Sequence, residues 1–159
     1  MTEDEFPYKI RMANSDEWEE AMALAWKTFL QFEAKDYEPE GIRSFEDFIT
    51  DSTLYRMFIM GAYQMISAFY GTKMVGMITI RSNSHISLLF VDEKYHMRGI
   101  GRALINTMCH YLKEELGLAR VTVNASPYGV GFYHKIGFTD MQPVQKSEGI
   151  IYTPMELIF

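Results

Sequence analysis

The sequence predicts an α+β fold in which one central mixed sheet is flanked by helices, in the order β-α-α-β-β-β-α-β-α-β. Three observations predict it. Two helical stretches follow a first strand-like run. A meander of strand-like runs occupies the middle of the chain. A glycine-bearing loop then feeds a long amphipathic helix, beyond which strands and a short helix alternate. A length of 159 residues fits one domain spanning 1–159. With 48% hydrophobic and 23% charged residues, the chain can bury a sizeable core and is too apolar for a disordered protein.

Residues 8–13 alternate as a strand would. Asn14 and Ser15 are good helix caps, with Glu17 spaced as in a capping box. Trp18, Ala21, Met22, Ala25, Phe29 and Phe32 then recur at helical spacing. Residues 34–41, with Pro39 and Gly41, read as a break before a second helix over 42–51 that turns Ile42, Phe45, Phe48 and Ile49 inward. Residues 52–63 carry no decisive pattern. Strands are expected over 65–70, 74–81 and 85–91, with turns at Gly71-Thr72 and at 81–84. Ile100, Ala103, Leu104, Thr107, Met108, Tyr111, Leu112 and Leu116 mark the inner face of the long helix. A strand over 120–124, a helix over 127–136 ended by Gly137, and a strand over 150–158 complete the chain.

Acidic residues outnumber basic ones by 21 to 15, for a net charge of −6. Such a surface repels a phosphate-rich duplex, so no nucleic-acid partner is expected, and it is compatible with a cationic amine substrate. Cys109 is the single cysteine, which excludes an intramolecular disulfide and suits a reducing compartment. The first residues are acidic where a signal peptide would be basic. No run approaches the roughly 20 apolar residues of a membrane span. The expectation is a cytoplasmic protein without a membrane partner.

Backbone N–H groups at a helix start lack intrahelical acceptors, and the helix dipole there favours an anion. Gly99 and Gly101 let a phosphate approach, and Arg98 and Arg102 add positive charge. Simple turn chemistry would use the same glycines. Arg102-Ala103 after Gly101 excludes a Walker loop, and Leu104 in the third-glycine position excludes a Rossmann fingerprint.

Residues 89–104, from Leu89-Phe90-Val91 to Arg98-Gly99-Ile100-Gly101-Arg102-Ala103-Leu104, resemble the acetyl-CoA-binding motif of the GNAT superfamily of N-acyltransferases. Residues 124–138, from Asn124 through Phe132-Tyr133 to Gly137-Phe138, resemble its second signature. The element order is also the family's, so the resemblance covers residues 8–158. His96 departs from the pattern, standing where the family has Gln or Arg. The resemblance implies that N–H groups of Met97, Arg98, Gly99, Ile100, Gly101, Arg102 and Ala103 hold the CoA pyrophosphate. His96 is either a further contact there or an exposed loop residue. Main-chain groups of Leu89, Phe90 and Val91 would pair with the pantetheine arm, and Asn124 would reach it from the opposite strand.

It also implies direct acetyl transfer from acetyl-CoA to an amine. Tyr133 matches the family's proton donor, and a phenol with a reference pKa of about 10 can protonate a departing thiolate; packing alone also accounts for an aromatic residue there. By alternation, His85, Ser87, Leu89 and Val91 would share one strand face. Some family members place the amine's base there, which makes His85 either that base or a turn residue. Phe32, Glu33, Tyr37 and Tyr70 are the expected acceptor-site residues, since the family builds that site from the first helices and nearby strands. Cys109 has no paired base, and His110 and His134 lack metal-ligand spacing, so no metal is expected. The methionines between 57 and 77 read as core. Open alternatives are a catalytically silent CoA-binding sensor, a domain that interacts without CoA, and an enzyme using another acyl-CoA. A homodimer is left open.

Overall fold

The computed structural model describes residues 6–81 and 84–159. The acidic segment 1–5, and positions 82 and 83 of the expected turn at 81–84, lie outside the described residues. The first strand, β1 (Lys9–Met12), leads through a 3-10 turn at Ser15–Glu17 into α1 (Trp18–Phe32). The Glu17 carboxylate accepts the Asn14 N–H at 2.6 Å and also holds Arg11 at 2.8 Å, which fixes where the helical region begins.

One assignment in this region is corrected, and one stretch without a decisive pattern is resolved. Pro39 does not break the chain. It opens α2 (Pro39–Ile49), because a proline at the first helical position lacks only a donor that would be unpaired there anyway. Residues 52–63 begin with α3 (Ser52–Ile59), whose cap Asp51 accepts the Thr53 N–H at 2.8 Å.

The meander comprises β2 (Gln64–Tyr70), β3 (Lys73–Arg81) and β4 (His85–Val91). Then come α4 (Ile100–Leu116), β5 (Arg120–Ala125), α5 (Val130–Ile136), β6 (Thr139–Asp140), β7 (Gln145–Ser147) and β8 (Ile150–Ile158). The short strands β6 and β7 had no sequence signal. Neighbours in the sheet run β1-β2-β3-β4-β5-β8-β6, with β7 also paired to β8; among the described residues only β4 and β5 are parallel.

Helices cover both faces of the sheet. On one face α4 buries Ile100, Leu104, Ile105, Met108 and Leu112 against Ile66, Ile78 and Val121. On the other, α1 to α3 bury Trp18, Met22, Phe29, Ile49 and Leu54 against Met65, Met77, Leu88 and Phe90. Each such side chain contributes roughly 1.5–3 kcal/mol when fully buried. Leu116, expected on the inner face of α4, is the last residue of the helix and is 47% exposed. Of the methionines read as core, Met65, Met74 and Met77 are buried, whereas Met57 and Met60 are exposed on and beside α3.

The start of α2 meets the β7–β8 hairpin without intervening side chains. Glu38 N–H donates to the Gly149 carbonyl at 3.0 Å, and a Cβ on Gly41 would lie 2.5 Å from that same oxygen. A Gly41→Ala variant should therefore lose about 1–3 kcal/mol through overpacking. Gly131→Ala, where a Cβ meets nothing within 4 Å, should hold or gain stability through helix propensity. Thermal denaturation of the pair checks this: a lowered midpoint for Gly41→Ala only.

Candidate functional site

The site begins where the sheet parts. β4 and β5 pair only at His85↔Thr122 and Ile86↔Val123. Beyond them β5 stays with β8 as far as Ala125↔Thr153, while β4 stays with β3 as far as Val91↔Gly76. The β5-facing edge of β4 from Ser87 onward thus has no strand partner. A cleft of about 820 Å³ opens there.

Ser87 has no partner on β3: Leu88 pairs Thr79 and Ile86 pairs Ile80, which marks a β-bulge. The bulge resets the alternation and corrects the expected shared face. Ile86 packs into the α4-side core together with Leu89 and Val91, whereas Leu88 and Phe90 pack under α1. His85, one residue before Ile86, therefore faces away from α4. Thr122 does likewise, since its neighbours Val121 and Val123 are in the α4-side core. The His85 Nδ1 and Thr122 Oγ1 lie 2.8 Å apart. Burial, with help from Arg81, lowers the His85 pKa and keeps the ring neutral. Ser87 accepts the Tyr63 hydroxyl at 2.9 Å, next to the Tyr63–Thr79 contact at 2.7 Å.

The loop after β4 has the backbone geometry that an anion cradle requires. Met97 (φ 63°) and Gly99 (φ 82°) both adopt the left-handed conformation, which turns successive N–H groups to one side. At Met97 this costs on the order of 1–3 kcal/mol, a kind of strain that gathers at ligand clamps. The N–H groups of Met97 to Arg102 have no acceptor among the described residues, while Ala103 N–H already donates to Gly99 O at 3.0 Å. Ala103 is thus removed from the expected cradle, because its donor closes the first turn of α4.

Three further expectations change. The Arg98 guanidinium turns away to the Tyr8 hydroxyl at 3.2 Å and the Tyr95 ring, and the cationic residues that line the cleft are Arg81, Arg102 and Lys135. His96 is neither a loose loop residue nor a free contact: its Nε2 donates to the Val91 carbonyl at 2.7 Å, and its ring packs on Phe32. The Val91 carbonyl is therefore already occupied. Gly101 admits the Phe132 ring, which a Cβ would approach to 2.8 Å.

Phe32, Glu33 and Tyr37 line the cleft with Leu89, Phe90, Val91, Asn124 and Tyr133. Tyr70 does not; it packs with Tyr8 and Tyr95 at the far end of β2. Burial pushes the Glu33 carboxyl up to about 7, with Asp36 adding repulsion and the Ser126 hydroxyl opposing the shift. Burial and Glu33 push Tyr37 up to about 12. The same two causes raise Tyr133 further, so that its phenol holds its proton. Tyr133 has no hydrogen-bond partner among the described residues, yet Ser67 Oγ is the one fully buried side-chain polar atom there without a partner. The Tyr133 hydroxyl therefore opens onto the cleft. Among the described residues no group of three or more His, Cys, Asp or Glu could hold a metal.

Residues 33–159 match the model of the acetyltransferase (GNAT) domain. The chain belongs to this family. Solved GNAT structures share the fold. A GCN5-related N-acetyltransferase from Rhodopseudomonas palustris superposes with a TM-score of 0.79 at 22% identity, covering 95% of both chains. The PaiA N-acetyltransferase of Thermoplasma acidophilum, in complex with coenzyme A, gives 0.78 at 20% identity over 96% of this chain and 99% of that one. A spermidine N-acetyltransferase variant from Vibrio cholerae gives 0.68 at 12%, over 95% and 93%. No curated protein matches the sequence significantly.

Within this GNAT chain, sequence reasoning passed over Ser126, Tyr128 and Lys135, which line the cleft from β5 and α5. All three lie within or beside the second signature, which was their only available signal. It also read Glu33 as mere lining; an acid between Phe32 and Tyr37 was the clue to a carboxyl held among rings.

The Glu33 shift gives stability a definite pH dependence. A carboxyl raised from 4.5 to about 7 keeps its proton in the folded chain while the unfolded chain has already lost it. Its contribution is full below about 4.5 and is lost as pH rises through about 7. Glu33→Gln should flatten this part of the stability curve. Denaturant midpoints across that range check it, and parallel curves for variant and wild type would contradict it.

Proposed function

We propose that the protein is an acetyl-CoA-dependent N-acetyltransferase that passes the acetyl group directly to a primary amine of a small molecule or peptide. The observation that carries this reading is the continuity of the cleft. Unpaired N–H groups at the start of α4 lead along the unpaired edge of β4 to the open hydroxyl of Tyr133. The cradle suits a pyrophosphate, since its donors are pre-aimed and need no charged side chain to hold them. The β4 edge suits an amide-bearing arm, which would complete the pairing that β5 leaves off. The coenzyme A bound in the Thermoplasma relative supports the same donor here.

In the transfer, the amine nitrogen forms the C–N bond at the thioester carbonyl and the C–S bond breaks. Tyr133 gives its proton to the departing sulfur and regains one from the nitrogen. His85 and Glu33 are the two groups in the cleft able to take the first proton from the incoming ammonium, the role for which the sequence offered His85. We place this chemistry in a single domain in the cytoplasm, on the support of the acidic composition and lone cysteine.

Tyr133→Phe keeps the ring, which packs 5.1 Å from Phe138, and removes only the donor. Turnover should fall roughly 10- to 1,000-fold. CoA affinity by calorimetry should hold, because the cradle is untouched. Full activity in a folded variant would remove Tyr133 from the mechanism.

A further inference from the structure

Beyond the cradle, the cleft has an aromatic half. Phe32, Tyr37, Phe45, Phe48 and Tyr128 wall it. Its rings are already seated in the protein: Phe45 stacks on Phe29 with centroids 4.0 Å apart, and Phe32 on Tyr128 at 5.0 Å. Such fixed rings present flat apolar faces at little further entropic cost. Among the described residues lining the cleft, Glu33 is the only carboxylate, against the cations Arg81, Arg102 and Lys135. One carboxylate balances one ammonium. A polyamine would bring further positive charges toward three cationic side chains, and an aminoglycoside would bring more hydroxyls than the Tyr37 and Tyr128 hydroxyls of that wall could hydrogen-bond.

We infer that the acceptor is a primary monoamine on a flat apolar body, an arylalkylamine in chemical class, whose ammonium group meets Glu33 while its ring lies against the aromatic wall. This rests on the amine acetyl-transfer reading above and names its substrate class. Glu33 is also better placed than His85 to take the first proton. Glu33 lines the same cleft as the proposed acid, Tyr133, whereas His85 Nδ1 is engaged by Thr122. The ammonium gives one proton to the Glu33 carboxylate, which later releases it to water. The neutral amine forms the C–N bond as C–S breaks. Tyr133 protonates the sulfur and recovers the second nitrogen-bound proton.

The test compares free-thiol release from acetyl-CoA with 2-phenylethylamine, spermidine, an aminoglycoside and a lysine-bearing peptide. Wild type, Glu33→Gln and Glu33→Asp are assayed, with CoA affinity measured for each. We expect kcat/KM for phenylethylamine to exceed the others at least roughly tenfold. Glu33→Gln should lower it about 100-fold or more with CoA affinity unchanged, and Glu33→Asp should recover part of the loss. The groups facing Glu33 are Asp36 and Tyr37 from the turn after α1, and Ser126, Tyr128 and Tyr133 from the β5–α5 side. Wild-type kcat/KM should rise through an inflection near 7, set by Glu33, that Glu33→Gln lacks. Preference for spermidine, the aminoglycoside or the peptide would overturn the inference and leave amine acetylation standing, as would unchanged phenylethylamine turnover in Glu33→Gln. Failure of the wild type to bind CoA would overturn the reading beneath it.

Discussion

The parting of β4 from β5 is the constraint on which the site depends. Two strands in mid-sheet ordinarily satisfy each other's main-chain groups, and leaving them apart exposes donors and acceptors that need a partner. Here the parallel pairing stops after Ile86↔Val123, immediately before the bulge at Ser87. Everything that gives the cleft its shape follows from that break. β5 continues with β8 and carries Asn124, Ser126 and α5 to one side. β4 continues with β3 and delivers the loop of Met97 and Gly99 to the other. Gly76 keeps α4 close to β3, since a Cβ there would lie 3.1 Å from Ile100 and 3.2 Å from Leu104. The helix start that carries the free N–H groups is therefore set by packing rather than by the loop alone.

The two halves of the cleft are mechanically joined through α1. Lys27 reaches Asp92 at 3.2 Å, Gln31 reaches Glu93 at 2.9 Å, and Phe32 packs on His96 with ring centroids 5.0 Å apart. His96 in turn holds the Val91 carbonyl. The helix that leads to Glu33 is thus fastened, along its last turns, to the loop that follows β4. The set of contacts, among them an ion pair between a half-exposed lysine and a buried aspartate, fixes the spacing between that loop and Glu33. Spacing of that kind is where an acyl-transfer enzyme gains most, because reacting groups held in line need no further search.

Much of this was legible in the amino-acid order. Helical spacing from Trp18 to Phe29 and the alternation around β4 located their elements, and Gly99 and Gly101 before an amphipathic run located the start of α4. What escaped depended on tertiary context. Alternation assumes an unbroken strand, so no pattern could reveal that Ser87 is the extra residue and that His85 faces away from Leu89. Arg98 looked like a phosphate ligand by position, yet Tyr8, distant in sequence, claims its side chain. Tyr70 matched the acceptor site in type and failed in place. The Glu33 shift arises from burial in a cleft lined by several separate segments, and no window of sequence contains them.

Backbone amide resonances followed during a coenzyme A titration test the central claim most directly. Saturable perturbation and slowed exchange concentrated on Met97 to Arg102 and along Ser87 to Val91 are the predicted result. Saturable binding whose perturbations bypass both segments, or no saturable response at all, would contradict it.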